Sequence, residues 1–180
     1  EFTKLDKHHI HLNDLWIGSP IIGDRTSTLE EIVDIFKFTA PQVCCYYHNR
    51  AIEQFLIAQM QTNALKSISI EGRGWTEELR SAIEEFALNK DFRSIAVRSP
   101  SLQFGRAFFD ALIQKPLLRN LSMFDAQFSF DTKELRASGF QDIGGIYAGQ
   151  EMRWIRKDGV SVTIRQNKWL SVYLKHPLKY

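Results

Sequence analysis

Only two cysteines stand in this chain, at Cys44 and Cys45, and no run of five like charges occurs anywhere in its 180 residues. Each shortage excludes a class of protein. Neighbouring residues of a strand point to opposite faces, which disfavours a bridge between Cys44 and Cys45 within Val43-Cys44-Cys45-Tyr46-Tyr47, which reads as a strand. No disulfide framework follows, and a reducing, intracellular setting is expected. With 23 basic against 21 acidic residues the net charge is only +2, which gives no basic surface for nucleic acid. The apolar runs are all far shorter than a membrane-spanning helix requires, and the first residues carry no signal-peptide pattern, so no membrane partner is expected. Glu1-Phe2 reads as a cloning remnant, and the chain is expected to be trimmed from a longer protein.

Catalytic signatures are equally scarce. There is no Gly-x-Ser-x-Gly elbow, no phosphate-cradling glycine loop with a following lysine and no dinucleotide fingerprint. Gly144-Gly145 reads as a bulge or tight bend. His8, His9 and His11 cluster near the start, but no cysteine or carboxylate stands at a spacing that completes a zinc site, so no metal or cofactor is expected. Cys45 with His48 is a conceivable nucleophile and base. Strand neighbours rarely reach that geometry and a buried structural cysteine is commoner, so a hydrolase using this pair is the minor alternative. The four tryptophans are spread along the chain, and Trp154 is placed to pair with Trp169.

What is present is a phrase written three times: Leu65-Lys66-Ser67-Ile68-Ser69-Ile70, Phe92-Arg93-Ser94-Ile95-Ala96-Val97 and Leu118-Arg119-Asn120-Leu121-Ser122-Met123. Each is apolar, basic, small polar, apolar, small, apolar. The copies begin at 65, 92 and 118. A period in that range marks a stacked repeat, because one strand-helix unit cannot bury its own apolar face. Helical spacing fills the intervals. Leu29, Ile32, Val33 and Phe36 follow a Ser27–Glu30 capping box, and Ile52, Phe55, Leu56 and Met60 lie on a helix from Arg50. Leu79, Ile83 and Phe86 follow a Thr76 cap, and Phe108, Ala111 and Leu112 follow a Ser101 cap. Strands alternating with helices favour a parallel sheet with right-handed crossovers.

After residue 125 the pattern changes. Asp131, Glu134 and Gly139 bound a short helix, and Met152–Arg156, a Lys157-Asp158-Gly159 turn and Val160–Ile164 read as a β-hairpin joined by a third strand at Lys168–Leu174. The fold class expected is therefore α/β: a leucine-rich-repeat-like, right-handed strand-helix stack over 26–125, capped by a C-terminal antiparallel β meander over 126–180, in one domain of 1–180. A doubly wound sandwich with helices on both faces is the alternative. In a stack of this kind the apolar letters turn inward and the letters between them line a concave face. That face is expected to carry Ser67, Ser69 and Glu71; Ser94, Ala96 and Arg98; Asn120, Ser122 and Phe124; and, one repeat earlier, Val43, Cys45 and Tyr47. Small residues at the centre let a partner approach closely, and the varied row Tyr47, Glu71, Arg98 and Phe124 suits protein recognition.

The run Trp75-Thr76-Glu77-Glu78-Leu79, Phe86, Phe92-Arg93-Ser94-Ile95, Phe104-Gly105, Phe108-Phe109, Lys115-Pro116-Leu117 and Phe128-Ser129-Phe130-Asp131 resembles the C-terminal region of the expanded nematode F-box proteins, with an F-box-associated domain of the FTH type or a relative of it. The resemblance spans residues 60 to 175 and is a diffuse pattern, not an invariant motif. It implies a non-enzymatic protein-binding region that captures the target of a ubiquitin ligase. It also implies that a Skp-type adaptor and a cullin are reached only through an N-terminal F-box. The first fifty residues read as strand, loop, helix and strand, so no adaptor-binding residue is carried over.

Overall fold

The computed structural model describes residues 15–17, 40–46, 49–117, 121–143, 150–166 and 168–177. Strands β1 (Leu15–Ile17), β2 (Gln42–Tyr46), β3 (Ser67–Glu71), β4 (Ser94–Arg98), the two-residue β5 (Gln103–Phe104) and β6 (Leu121–Phe128) form the parallel half of one sheet. Helices α1 (Arg50–Gln61), α2 (Glu77–Asn89) and α3 (Arg106–Gln114) carry the crossovers. Advancing one strand at a time in one direction with right-handed crossovers sends all three to the same side. Their buried faces agree. Ile52, Leu56, Leu79, Ile83, Phe108 and Leu112 share one core with Val43, Ile68, Ile70, Ile95, Val97 and Phe124.

The helix ends show how neighbouring units lock together. Asn49 caps α1 by accepting from the Ile52 amide at 3.1 Å. Thr76 precedes α2 as the sequence suggests, yet its hydroxyl donates to Glu53 of α1 instead of capping its own helix. The fully buried Glu53 carboxylate also accepts from the Thr76 amide at 3.3 Å and from Arg50, so α1 supplies the negative charge that the α2 N-terminus favours. At the other end, Lys115 Nζ donates to Ala87 O at 2.6 Å and Lys90 O at 2.7 Å, over the Phe92 ring. Burial there pulls its pKa below the ordinary lysine value, against the opposing charge of Asp91. Arg156 closes the end of α3 in the same manner, donating to Ile113 O and Lys115 O at 3.1 and 2.7 Å. Carbonyls left orphaned at a helix C-terminus thus find a cation from further along the chain.

Two local expectations change around α3. The Ser99 and Ser101 hydroxyls pair at 2.8 Å in a turn that leads into β5, so α3 starts at Arg106, behind Gly105 and not behind Ser101. Ala111 is exposed, while Phe109 and Ile113 join Phe108 and Leu112 inside.

The C-terminal part opens with α4 (Lys133–Ala137). It ends at Gly139, which has φ 91°, with Gly139 N donating to Arg136 O and Phe140 N to Leu135 O, the paired bonds of a left-handed helix stop. Strands β7 (Gln141–Asp142), β8 (Gln150–Ile155), β9 (Ser161–Gln166) and β10 (Leu170–Lys175) then form an antiparallel meander. Gly159 makes the expected turn at φ 82°, and a Cβ there would lie 3.3 Å from Pro177 Cγ. The meander does cover the unpaired edge of the parallel strands. It does so by extending the sheet: β10 pairs antiparallel with β6, giving the order β1-β2-β3-β4-β6-β10-β9-β8-β7. Trp154 and Trp169 do not meet. Trp154 packs on Phe140 at 5.7 Å between ring centroids, and Trp169 lies beside Lys168 near the far end of the meander. The architecture is mixed α/β, a sheet that passes from parallel to antiparallel with its described helices on one face. Of the strand expected over residues 8–17, only 15–17 are described. The helix behind Ser27, the histidine cluster and Gly144-Gly145 lie outside the described residues.

Candidate functional site: the open face of the sheet

Strand alternation divides the sheet residues into two sets. One set, Val43, Cys45, Ile68, Ile70, Ile95, Val97, Phe124 and Ala126, is buried with the helices. The other set faces away from them. Register partners assemble it into rows that run across the strands. The central row is Cys44, Ser69, Ala96 and Asp125, continued in the meander by Ser171, Arg165 and Glu151. Beside it lie Ser67, Ser94, Met123, Tyr173, Thr163 and Arg153, and, over the first strands, Tyr46, Glu71 and Arg98.

Six of the twelve residues expected on a concave face, Ser67, Ser69, Glu71, Ser94, Ala96 and Arg98, lie on the open side of the sheet, and Asn120 lies outside the described residues. Ser69 and Ala96 are half-buried neighbours at the centre, and Arg98 Nη1 donates to Glu71 Oε1 at 3.2 Å at the rim. That ion pair is half-exposed and contributes little to stability, which leaves both groups free to exchange partners. Ser122 and Phe124 are corrections. Both are buried on the helix side, Ser122 donating to Phe92 O at 2.9 Å and Phe124 wedged among Phe104, Phe108 and Phe128. The reason is register. Ile95 pairs with Phe124 and not with Leu121, so the third copy of the phrase is displaced by an odd number of residues, and an odd displacement turns every side chain to the other face. Leu121, an apolar letter, is consequently exposed. The extension to β2 contains the same slip. Cys44 pairs with Ser69, which puts Val43 and Cys45 in the core. Tyr47 and His48 lie outside the described residues, and Tyr46 is the tyrosine opposite Glu71.

Reading the sequence also missed the meander's share of this face. Ser171 donates to Asp125 at 2.9 Å, tying β10 to β6. Arg165 donates to Glu151 through Nε and Nη2 at 3.2 and 3.1 Å while its guanidinium lies 5.6 Å from the Tyr173 ring centroid. The Asp158-Gly159 turn announced the hairpin, but nothing local in the chain shows that 170–175 pairs with 121–126.

Burial, reinforced by Cys44, pushes the Cys45 thiol up to about 12, which removes the thiolate that a nucleophile needs. Cys44 is half-buried on the open side. Cys44 in the native chain should therefore be labelled by iodoacetamide well before Cys45, which should react only once the chain is unfolded; mass spectrometry of tryptic fragments reads the order, and equal labelling of both would contradict the burial. Among the described residues no group of three or more His, Cys, Asp or Glu side chains is placed to hold a metal ion, and no helix is long and apolar enough to cross a membrane. Described residues on the helix side line two clefts. One of about 170 Å³ is lined by Arg106, Asp110, Phe140 and Trp154, with Arg106 tied to Asp110 at 2.8 Å. The other, of about 250 Å³ between α1 and α2, is lined by Ile57, Met60, Phe86 and Lys90. Neither brings a nucleophile to a base. Comparison with protein-family models, curated proteins and solved structures finds no match to this chain.

Proposed function

We propose that this chain is a protein-binding domain whose partner lies on the open face of the sheet. The observation that carries this reading is the small-residue centre of that face. At Cys44, Ser69 and Ala96 three adjacent strands present short side chains in register, and no described helix covers them. A partner can approach the backbone there closely, while Tyr46, Glu71 and Arg98 at the rim supply the aromatic and charged groups that discriminate between partners. A leucine-rich-repeat-like stack, with an open sheet face opposite a helical layer, is the structural form of this proposal.

The diffuse pattern over residues 60–175 that resembles F-box-associated regions suggests a more specific role, the target-capturing region of an F-box-type ubiquitin ligase receptor. Contact with a Skp-type adaptor and a cullin would then run through an F-box and not through this sheet face. Changing Ala96 to arginine fills the small-residue centre without touching the core. The variant should keep its circular dichroism and melting temperature but bind the partner recovered from native cells at least tenfold more weakly. Glu85→Arg, on the exposed surface of α2, should bind as wild type does. Equal loss in both variants, or none in either, would remove the open face from consideration. Adaptor and cullin copurifying with the full-length protein distinguish ligase work from binding that acts by occupancy alone.

A further inference from the structure

Among the described residues the exposed large aliphatic side chains are Leu121, Ile143 and Ile155, at 48%, 47% and 60% exposure. All three fall on the open face and all lie in or beside the meander half. Leu121 is opposite Lys175, Lys175 opposite Ser161, and Ser161 opposite Ile155, so the four form one row across β6, β10, β9 and β8. Four strands at the usual spacing put Leu121 and Ile155 about 14 Å apart. Ile143 follows β7, its amide donating to Glu151 O at 3.1 Å, and register with Gln141–Arg153 places it on the same side as Arg153. Isolated exposed aliphatics need no explanation, but Leu121 and Ile155 in one row, with Ile143 on the same side and no described element over them, mark a contact surface.

The charges around them have one sign to spare. Lys175 and Arg153 have no carboxylate partner among the described residues, and Arg153 Nε donates to the Ser161 hydroxyl at 2.9 Å. The carboxylates in this half are already engaged, Glu151 by Arg165 and Asp125 by Ser171. A second copy of the chain stacked face to face would offer Lys175 and Arg153 no unengaged carboxylate from the described residues of this half. An anionic membrane spread over this half of the face would also meet Glu151 and Asp125, each four residues along its strand from the Leu121–Ile155 row, whereas a single extended segment lying on that row does not reach them. A partner segment that carries both carboxylates and aliphatic side chains meets neither obstacle.

We propose that the meander half of the open face binds an acidic, aliphatic segment of a partner protein in extended form, crossing the strands. The row sets its pattern. Two aliphatic residues four apart in an extended chain span about 13 Å, enough to rest on Leu121 and Ile155. The residue midway between them points to the same side, towards Lys175 and Ser161, and an acidic residue there pairs with the Lys175 ammonium. The expected motif is aliphatic, any, acidic, any, aliphatic.

This inference rests on the reading of the open face as a protein-binding surface, and one experiment separates the two. A random dodecapeptide display library is selected against the whole chain, and the enriched peptides are synthesised and titrated against variants. The motif should emerge. Binding should weaken at least tenfold in Lys175→Glu and in Ile155→Asp, both exposed positions, and should weaken further with added salt. Enriched peptides that lack acidic residues, ignore both substitutions and lose binding in Ala96→Arg would overturn this inference and leave the broader reading intact. Enrichment insensitive to every open-face substitution, or no enrichment at all, overturns both. Binding to phosphatidylserine-containing vesicles in place of peptides would overturn both as well.

Discussion

Replacing Phe124 by alanine is expected to destabilise the fold by about 3–5 kcal/mol, the range for truncating a buried aromatic. The side chain is 1% exposed and its ring stands 5.1 Å from Phe104, edge to face, and 5.2 Å from Phe108. Phe128, at 6.0 Å, completes the cluster and belongs to the same strand. The cavity would open between β6 and α3, where a rigid aromatic cluster has little freedom to collapse. Because a domain of this size holds only about 5–15 kcal/mol of net stability, the variant should unfold at a far lower urea concentration. Leu121→Ala, three residues earlier, should shift stability by no more than about 0.5 kcal/mol, since Leu121 is exposed. The pair tests the register directly. A stable Phe124→Ala protein beside a damaged Leu121→Ala protein would mean that the third phrase pairs as its letters suggest and that the tertiary register described here is wrong.

Glu53→Ala is expected to cost about 2–3 kcal/mol by the same denaturation measurement. The carboxylate is fully buried and accepts from the Thr76 amide, the Thr76 hydroxyl and Arg50. Removing it strands the Thr76 amide at the N-cap of α2 and one side of Arg50 together. The loss falls short of a fully buried ion pair because Arg50 is half-exposed and also pairs with Glu78. Glu53→Gln keeps an acceptor for Thr76 without the charge, so about half the loss should return. Glu84→Gln, which breaks a surface pair with Arg80, should cost no more than about 0.5 kcal/mol. Equal stability in Glu53→Ala and Glu84→Gln would show that α1 does not cap α2.

These two residues also mark what can be read locally and what cannot. Leu79, Ile83 and Phe86 recur at helical spacing, Asp158-Gly159 favours a tight turn and Gly139 stops a helix, each through the conformational preference of a few neighbouring residues. Those preferences are present in the chain whatever it folds against. The alternation of strand and helix, the open face around Ser69 and Ala96 and the inward turn of Ile68 and Ile95 follow from the same local rules. Phe124 does not, because a strand's period of two offers two faces and pairing chooses between them. The phrase at 118–123 matched its predecessors in letters, yet the large hydrophobic residues that fill the core against α3 come three positions later. Burial of those aromatics outweighed the likeness of the phrase. Glu53 looks like an ordinary surface acid in a helix until α2 is set beside it. The join of β10 to β6, which carries Leu121, Lys175 and Ile155 onto one face, is likewise a contact between segments far apart in the chain.

The amino-acid sequence alone determined the elements and the parallel stacking of β2, β3 and β4, because propensity, capping and hydrophobic period act over a few residues. Only the tertiary structure decided which side of β6 is buried and how the meander extends the sheet, because those are settled by burial and by hydrogen bonding between distant strands.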